Sequence, residues 1–451
     1  MTTGPIDRAL SRVSRAGAAA ADVILLDVES REIRVRGDEI DFVKQARQKN
    51  LSIRAFVKAP EGLRSAITST SDLSDAAVDR MAAETVDLAR ATEPDPHAGL
   101  PEGSFAHNLP DLSLVDPADR AVSIEDRIGD ARRAEAAARE CDPKIVNSEG
   151  SEASSSFACV ELANTAGFCG RYESARHGLY SAPLARENGS GSMQTDYWMT
   201  AARTLGALET PESVGREAAR RALRRLGARQ IDTTEVPIVF EPMTARSLIG
   251  HVAAAVGGGA IYRKASFLAE RLGESIASPL VTLVDEGRRP GGLGSRPFDG
   301  EGLATRRNVV VENGVLRTFL IDSYSGRKLG LPATGSASRG AGGGPSAGPT
   351  NFWMEPGASS LDEMISTTER GLLVTWLFGH GFNAITGDFS RGAAGVWIEN
   401  GTLTHPVDEV TIAGNLGAML ESVDAVGDDL LWLGSTAAPS FRVGPLTVAG
   451  R

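Results

Sequence analysis

Hydrophobic positions near the start of the chain recur at helical spacing. Ile6, Leu10 and Val13 lie three or four residues apart, which predicts a helix over residues 5–20. The same spacing returns over residues 71–92, where apolar side chains again share one face. The first part of the chain is therefore expected to contain two amphipathic helices.

Between these helices the pattern changes to short runs typical of strands. Five runs rich in β-branched residues are separated by turn residues, which predicts an antiparallel meander; they cover residues 22–28, 31–36, 40–45, 52–57 and 63–68. Strand-like runs return over residues 144–203. The proline-rich stretch 94–117 predicts a long connection between the second and third helices.

A capping signal predicts where the third helix begins. Ser123 followed by Asp126 has the form of a capping box, in which each side chain bonds to the other residue's backbone. This helix should run to about residue 140. A further helix over residues 213–225 carries five arginines. A solvated face is the favoured interpretation of this charge run, and an anion site is the alternative.

Two Asn-Gly dipeptides between strand-like runs predict tight hairpins in the second half. Asn313-Gly314 and Asn400-Gly401 can adopt the positive φ angles that a type I′ turn requires. Residues 335–348 are almost all Gly, Ser, Ala and Pro, which predicts a mobile loop with no core of its own. Helical spacing is found over residues 245–256, 262–272, 361–370 and 416–423.

Together these elements predict an α+β fold with two domains, each a mainly antiparallel sheet with packed helices. The N-terminal domain would cover residues 1–205 and the C-terminal domain residues 233–451. A connecting helix and linker would join them over residues 206–232.

Composition narrows the classes of function. The formal charge of −11 over 451 residues argues against a nucleic-acid partner, because such affinity depends on Lys and Arg neutralising phosphates. Three cysteines without a C-x-x-C pair, Cys141, Cys159 and Cys169, suit a reducing compartment. The N-terminus has no apolar leader, and no stretch approaches ~18 apolar residues. We therefore expect a cytoplasmic protein without a membrane partner.

One glycine-rich segment near the end of the chain gathers residue types that can carry chemistry. It contains His380, Asn383, Asp388, Ser390 and Arg391. Turn and packing roles are the favoured interpretation, since Asn, Asp, Ser and Gly build turns between strands. A ligand-facing or partner-facing role is the alternative, and on that hypothesis these five residues form the candidate site.

Two pairs of carboxylates could act as acid and base. Asp285 with Glu286 and Asp299 with Glu301 lie among Gly and Pro, so solvated turn carboxylates are the favoured interpretation. The glycine-rich stretches lack the Lys and Ser/Thr of a phosphate-binding loop, and no G-x-S-x-G elbow is present. No two of the six histidines lie close in sequence, so a helical zinc site is poorly supported. A site assembled from distant ligands is the alternative.

Short motifs follow one another in a specific order through the second half. They cover residues 236–242, 266–268, 272–274, 298–302, 312–316, 327–330, 334–335, 387–390, 397–401, 406–407 and 412–416. Their order and spacing resemble the TldE/PmbA branch of the TldD/TldE peptidase family over about residues 230–450. Residues 34–41 and 147–168 resemble the same family more weakly, in their general sequence pattern.

The resemblance implies a two-domain subunit that pairs with a TldD-like subunit around a proteolytic chamber. In TldD a His-Glu-x-x-x-His helix and a late cysteine hold zinc, and the glutamate acts on zinc-bound water. The corresponding helix here, residues 247–256, holds His251 alone and no glutamate, and no cysteine follows Cys169. This implies no catalytic residue, metal ligand or cofactor in this chain, with zinc in the partner. His251 is favoured as a packing histidine over a relic ligand.

The favoured hypothesis is a non-catalytic subunit of a cytoplasmic, heterodimeric zinc metallopeptidase that acts on unstructured peptides or peptide precursors. Its partners would be a TldD-like catalytic subunit and extended peptide, with a homodimer as an option for the isolated chain. The loop 335–348 and the segment 379–392 are the candidates for lining the chamber. The alternatives are a scaffold that binds a precursor peptide and an independent non-metal hydrolase that uses His380, Asp388 or Ser390.

Overall fold

The computed structural model describes residues 4–187 and 193–450. The helices of its first part are α1 (Pro5–Arg15), α2 (Asp75–Ala91), α3 (Ile124–Glu140) and α4 (Pro211–Leu223), with 3-10 turns at Pro117–Ala121 and Leu205–Ala207. The second and third confirm the prediction, and the Ser123 capping box is formed in both directions. The first helix is shorter than predicted. It ends at Arg15 because Gly17 adopts a φ of +95° and the first strand begins soon after.

One antiparallel sheet organises the first half of the chain. Its strands are β1 (Ala20–Arg36), β2 (Glu39–Ala59), β3 (Gly62–Thr70), β4 (Ile145–Asn164), β5 (Cys169–Arg186), β6 (Met193–Thr195) and β7 (Trp198–Ala202). They lie in the order β3-β2-β1-β4-β5-β6, and β7 also pairs with β5. The predicted meander is confirmed, but its five runs form three strands. Polar residues between the runs stay extended because β1 pairs along its length with both β2 and β4.

Helices cover this sheet through small apolar side chains. Val13 of α1 and Val78 of α2 pack with Val23 and Ile53 of the sheet, and all four are buried. On another part of the sheet, α3 and α4 approach each other so closely that a Cβ on Gly215 would lie 2.1 Å from a backbone oxygen of α3. Helix α4 is therefore packed on the first sheet. The boundary predicted over residues 206–232 stays a prediction.

The second half is built on shorter strands. Its helices are α5 (Pro242–Ala255), α6 (Gly258–Tyr262), α7 (Ser323–Leu329), α8 (Leu361–Ser366) and α9 (Leu416–Glu421). Its strands are β8 (Thr234–Phe240), β9 (Leu283–Glu286), β10 (Arg307–Glu312), β11 (Val315–Leu316), β12 (Ala337–Ser338), β13 (Ser346–Ala347), β14 (Phe352–Met354), β15 (Arg370–Phe378), β16 (Asp388–Glu399), β17 (Thr402–Asn415), β18 (Ala425–Val426), β19 (Leu431–Trp432), β20 (Thr436–Ala438) and β21 (Phe441–Ala449).

Two six-stranded sheets enclose the largest apolar core. One has the order β11-β10-β9-β14-β20-β19 and the other β17-β16-β15-β8-β21-β18, with an added pairing of β17 to β21. Most neighbours are antiparallel, while β8 with β15 and β14 with β20 are parallel. Helix α5 lies within this core through Leu248, Ile249 and Val252, all fully buried. The fold is α+β with mainly antiparallel pairing, as predicted.

Both Asn-Gly hairpins are confirmed. Asn313-Gly314 joins β10 to β11 and Asn400-Gly401 joins β16 to β17, and all four residues have positive φ angles between 47° and 83°. These turns depend on local backbone chemistry alone, because Asn and Gly tolerate the left-handed region.

Two local predictions for this half are wrong. The helix predicted over residues 262–272 is absent, since α6 ends at Tyr262 and turns follow. The loop 335–348 is not without structure, because it forms the β12–β13 hairpin with Ala337 fully buried. No helix in the described ranges is long and apolar enough to cross a membrane.

Candidate functional site

A cleft of about 370 Å³ lies along one face of α5. Pro242 occupies the first turn, where its missing N–H costs no hydrogen bond. The buried face of α5 enters the core, and the opposite face lines the cleft with Met243, Arg246, Ser247 and Gly250. The facing walls come from distant segments and comprise Tyr197, Thr375, Trp376, Leu377, Arg391 and Thr436.

Arg391 crosses from β16 to the cleft face of α5. Its Nη1 donates to Ser247 Oγ at 2.8 Å, and its buried Nε has no hydrogen-bond partner among the described residues. Burial lowers the pKa of the guanidinium below its ordinary value. A partly desolvated cation thus faces a cleft that contains a second arginine, Arg246.

His251 lies one turn beyond Ser247 and stacks on Phe382. The ring centroids are 4.2 Å apart with an interplanar angle of 21°. Burial lowers the pKa of the imidazole, and the positive charge of Arg391 lowers it further. The charged form of the ring is therefore disfavoured, and the ring packs against an aromatic side chain, which is the role favoured from the sequence.

Of the five candidate residues, only Arg391 lines the cleft. Asn383 and Asp388 organise the preceding turn, where Asn383 Oδ1 accepts from the backbone of residue 385 and Asp388 accepts from Thr386 Oγ1 at 2.6 Å. The hydrogen bond from Thr386 lowers the pKa of Asp388. His380 and Ser390 are exposed. Within the described residues, no hydrogen bond joins the side chains of His380, Asp388 and Ser390, which the hydrolase alternative requires.

The interpretation of the acidic pairs as solvated turn carboxylates is wrong for three of the four residues. Asp285, Asp299 and Glu301 are each at most 3% exposed. Asp285 accepts from the backbone and hydroxyl of Thr350, and burial raises its pKa to about 6. Burial likewise raises the pKa of Asp299, and it raises that of Glu301 to about 7. The turn interpretation holds for the backbone around Asp299 and Glu301, whereas Asp285 and Glu286 lie in strand β9.

Glu301 belongs to a buried ionic cluster that joins the two halves of the chain. Arg54 Nε donates to Asp22 Oδ2 at 2.8 Å, and Arg339 Nη1 donates to Asp22 Oδ1 at 2.5 Å. Burial alone would raise the pKa of Asp22, but the two guanidinium groups hold it below its ordinary value. Because Arg339 lies in the 335–348 loop, this cluster fixes that loop to the first sheet.

The interpretation of α4 as a solvated basic face is also wrong in part. Arg216 and Arg220 are exposed, whereas Arg221 is buried and donates to Glu241 Oε1 at 2.6 Å and to the carbonyl of Thr375 at 3.1 Å. Glu241 is the residue that precedes α5. The basic helix therefore fixes both the start of α5 and the facing wall of the cleft.

Sequence reasoning missed most of the cleft because its lining comes from five separated segments. Arg391 and Ser247 are 144 residues apart, and Tyr197 belongs to the first sheet region. One signal was available. Arg246, Ser247 and His251 are polar positions at helical spacing on an otherwise apolar helix, which marks an exposed or lined face.

Three models of the PmbA/TldA metallopeptidases match the chain in order. Domain 1 matches residues 21–89, the central domain residues 117–226 and the C-terminal domain residues 233–450. Together with the fold, these matches define a metallopeptidase-type chain built from all three domains. Metalloprotease PmbA of Escherichia coli O157:H7 is 40% identical over 430 residues, 94% of this chain and 92% of that protein. The chain belongs to the PmbA/TldD metallopeptidase family.

Solved structures agree with this assignment. A Bacteroides thetaiotaomicron protein, described as a candidate modulator of DNA gyrase, superposes with a TM-score of 0.89 at 30% identity and covers 99% of this chain and 98% of its own. TldE from Thermococcus kodakarensis has the same TM-score at 22% identity, covering 99% and 100%. This second likeness shows that the two chains share a fold.

The residues of the cleft do not fit a zinc ion. Zinc binds thiolate, imidazole and carboxylate groups, usually three or four of them. None of the described lining residues is His, Cys, Asp or Glu, and the charges of Arg246 and Arg391 would repel a dication. His251, one turn beyond Ser247, would add a single imidazole and is stacked on Phe382. Residues 4–187 and 193–450 contain no group of three or more His, Cys, Asp or Glu side chains that could hold a metal.

Proposed function

We propose that this chain is the non-catalytic subunit of a cytoplasmic, heterodimeric TldD/TldE-type zinc metallopeptidase. A TldD-like partner would hold the zinc and cut unstructured peptides or peptide precursors. This chain would form part of the chamber wall, hold extended peptide and position its partner. The observation that carries the proposal is the chemistry of α5, where a single histidine, whose pKa burial lowers, accompanies a cleft lined by two arginines.

The charge of the cleft argues against an unseen catalytic role for that face. A water molecule becomes a nucleophile at neutral pH when a metal lowers its pKa, and that requires anionic or neutral ligands around the ion. Arg246 and Arg391 oppose such an ion, and Ser247 is engaged by Arg391. The cleft can bind a ligand, but none of its described lining residues is an acid, a histidine or a cysteine that could activate water.

Co-expression tests the proposal. Three samples are prepared. They are the full chain alone, the full chain with a partner that contains the His-Glu-x-x-x-His motif, and that partner alone. We expect a stable heterodimer by size-exclusion chromatography with light scattering. Unstructured peptide should be cut fast by the pair, slowly by the partner alone and not at all by this chain alone. Zinc should be stoichiometric with the partner and far below one equivalent in the isolated chain.

Two variants separate the roles of the chains. Exchanging the motif glutamate of the partner for glutamine should abolish cleavage by the pair. His251→Ala in this chain should leave zinc content and cleavage near the unmodified pair, because a packing histidine carries no ligand role. The proposal is refuted if the partner cuts equally well alone, or if this chain binds one zinc that His251→Ala removes.

A further inference from the structure

The α5 cleft is cationic in a protein that is strongly acidic overall. Arg246 and Arg391 both line it, while no Asp or Glu of the described residues does. The chain as a whole carries a formal charge of −11. Two uncompensated guanidinium groups in one concave site therefore depart from the general charge balance, and they favour an anionic ligand.

Arg391 is held in a conformation suited to anion binding. Its hydrogen bond to Ser247 Oγ, 2.8 Å long, fixes the guanidinium against α5. Its Nε is buried without a partner among residues 4–187 and 193–450. Burial is the cause that lowers its pKa, so no described carboxylate offsets the cost of desolvation. The outer nitrogens of a planar guanidinium match the two oxygens of a carboxylate, and Nη2 of Arg391 makes no hydrogen bond to a described residue.

The walls of the cleft suit the end of a peptide. Trp376, Tyr197, Leu377 and Met243 provide apolar and aromatic surface, and Thr375 and Thr436 line it as well. About 370 Å³ lies within the size range of sites for small ligands. The end of a peptide can enter such a cleft through one opening. An internal residue of a peptide could enter only if the backbone on both sides of it passed the walls of the cleft.

We propose that this cleft binds the C-terminal α-carboxylate of an extended peptide, with Arg391 and Arg246 as the anion-binding residues. The inference rests on the proposed function, since it names the part of the peptide that this subunit holds. Trp376 and its apolar neighbours would cover the last side chain of the peptide. Binding of this kind reads the chain end and the backbone, so it places little demand on sequence.

Peptide titrations of the isolated full chain test the proposal. The probe is N-acetyl-Ala-Ala-Phe as the free acid, and its C-terminal amide is the matched ligand. N-acetyl-Ala-Glu-Ala-amide tests whether a side-chain carboxylate serves equally well. Binding is followed by calorimetry and by tryptophan fluorescence, since Trp376 lines the cleft. We expect the free acid to bind about tenfold or more tighter than either amide, as a charge-assisted hydrogen bond implies.

Variants connect this preference to the two arginines. Arg391→Gln should remove the preference for the acid, so that acid and amide bind alike, and Arg246→Gln should reduce it. Arg216→Gln removes the same charge from an exposed position on α4 and should leave the preference unchanged. Circular dichroism checks folding. Arg246 lines the cleft as well, so its variant keeps the test informative if Arg391→Gln misfolds.

Each outcome has a defined meaning. Equal affinity for acid and amide, no saturable binding of either, or an acid preference that survives Arg391→Gln would overturn the proposal. Tighter binding of the internal glutamate peptide would assign the cleft to acidic side chains and overturn it as well. Activation of a TldD-like partner without acid preference would refute this inference alone, whereas acid binding without any effect on a partner would refute the proposed function alone.

Discussion

The buried ion network at the start of α5 makes a sharp prediction about stability. Arg221 has a side-chain exposure of 3%, Glu241 of 8% and Asp196 of 0%. Arg221 lies 2.6 Å from Glu241 and 3.3 Å from Asp196, and it also donates to the carbonyl of Thr375. Arg221→Gln would remove the cation and leave two carboxylates with less compensation.

The size of the stability loss depends on which ion pairs Glu241 and Asp196 keep in the variant. Removing one member of a buried pair costs about 3–5 kcal/mol, because an uncompensated charge stays in the interior. Glu241 keeps Arg224, whose Nη2 lies 3.0 Å from both carboxylate oxygens. Asp196 keeps no other direct ion pair with a described residue, and burial already raises its pKa. We therefore expect a loss of about 3 kcal/mol, at the lower end of the range.

Urea unfolding followed by circular dichroism and fluorescence measures this loss. Arg216→Gln is the matched control, because it removes the same charge from the exposed face of the same helix and should stay within about 0.5 kcal/mol. In the double variant Arg221→Gln/Asp196→Asn, the second change should cost less than it does alone, since the unpaired charge is gone. Native-state hydrogen exchange should show faster opening of the first turn of α5. An Arg221→Gln variant as stable as the control would refute the reasoning.

Two further predictions concern buried and backbone groups. Because burial raises the pKa of Glu301 from 4.5 to about 7, its contribution to stability is present below about pH 4.5 and is lost as the pH rises through 7. As the pH rises from 4.5 to 7.5, the free energy of unfolding of Glu301→Gln should therefore increase by up to about 3 kcal/mol relative to that of the unmodified chain. The same difference between the two proteins at both pH values would contradict this. Gly401→Ala should destabilise more than Gly227→Ala, although both have a φ of +73°, because a Cβ at 401 would lie 2.5 Å from the Ser366 carbonyl oxygen. The Gly227 variant should cost about 1–2 kcal/mol from φ alone, measured by thermal unfolding.

Features decided within a few residues of sequence were predictable. The Ser123 capping box and both Asn-Gly turns depend on side chains and φ angles inside one turn, and the structure confirms them. The segment 262–272 shows the limit of this reasoning. Apolar residues at helical spacing there make turns that fill the core, with Leu268 buried, instead of continuing a helix.

Features decided by contacts between distant segments were not predictable. Arg221 reads as one of five arginines on an exposed helix, and it is buried because Thr375, 154 residues away, packs against it. Glu301 reads as a turn carboxylate, and it is buried because Arg54 and the first sheet lie over it. A charge run or a turn signal reports local chemistry, whereas burial depends on which surface the chain brings to it.

Arg391 shows how such a contact can carry function. A half-buried guanidinium with an unused N–H and no described carboxylate opposite it destabilises the folded state, because desolvation is not offset by a counter-charge. Arg221, by contrast, is compensated twice within the same structure. Ionisable groups whose pKa is shifted, and which have no stabilising partner in the protein, concentrate at binding sites, where a ligand supplies the missing counter-charge. The difference between these two arginines is the physical reason to look for an anion at α5 and not at α4.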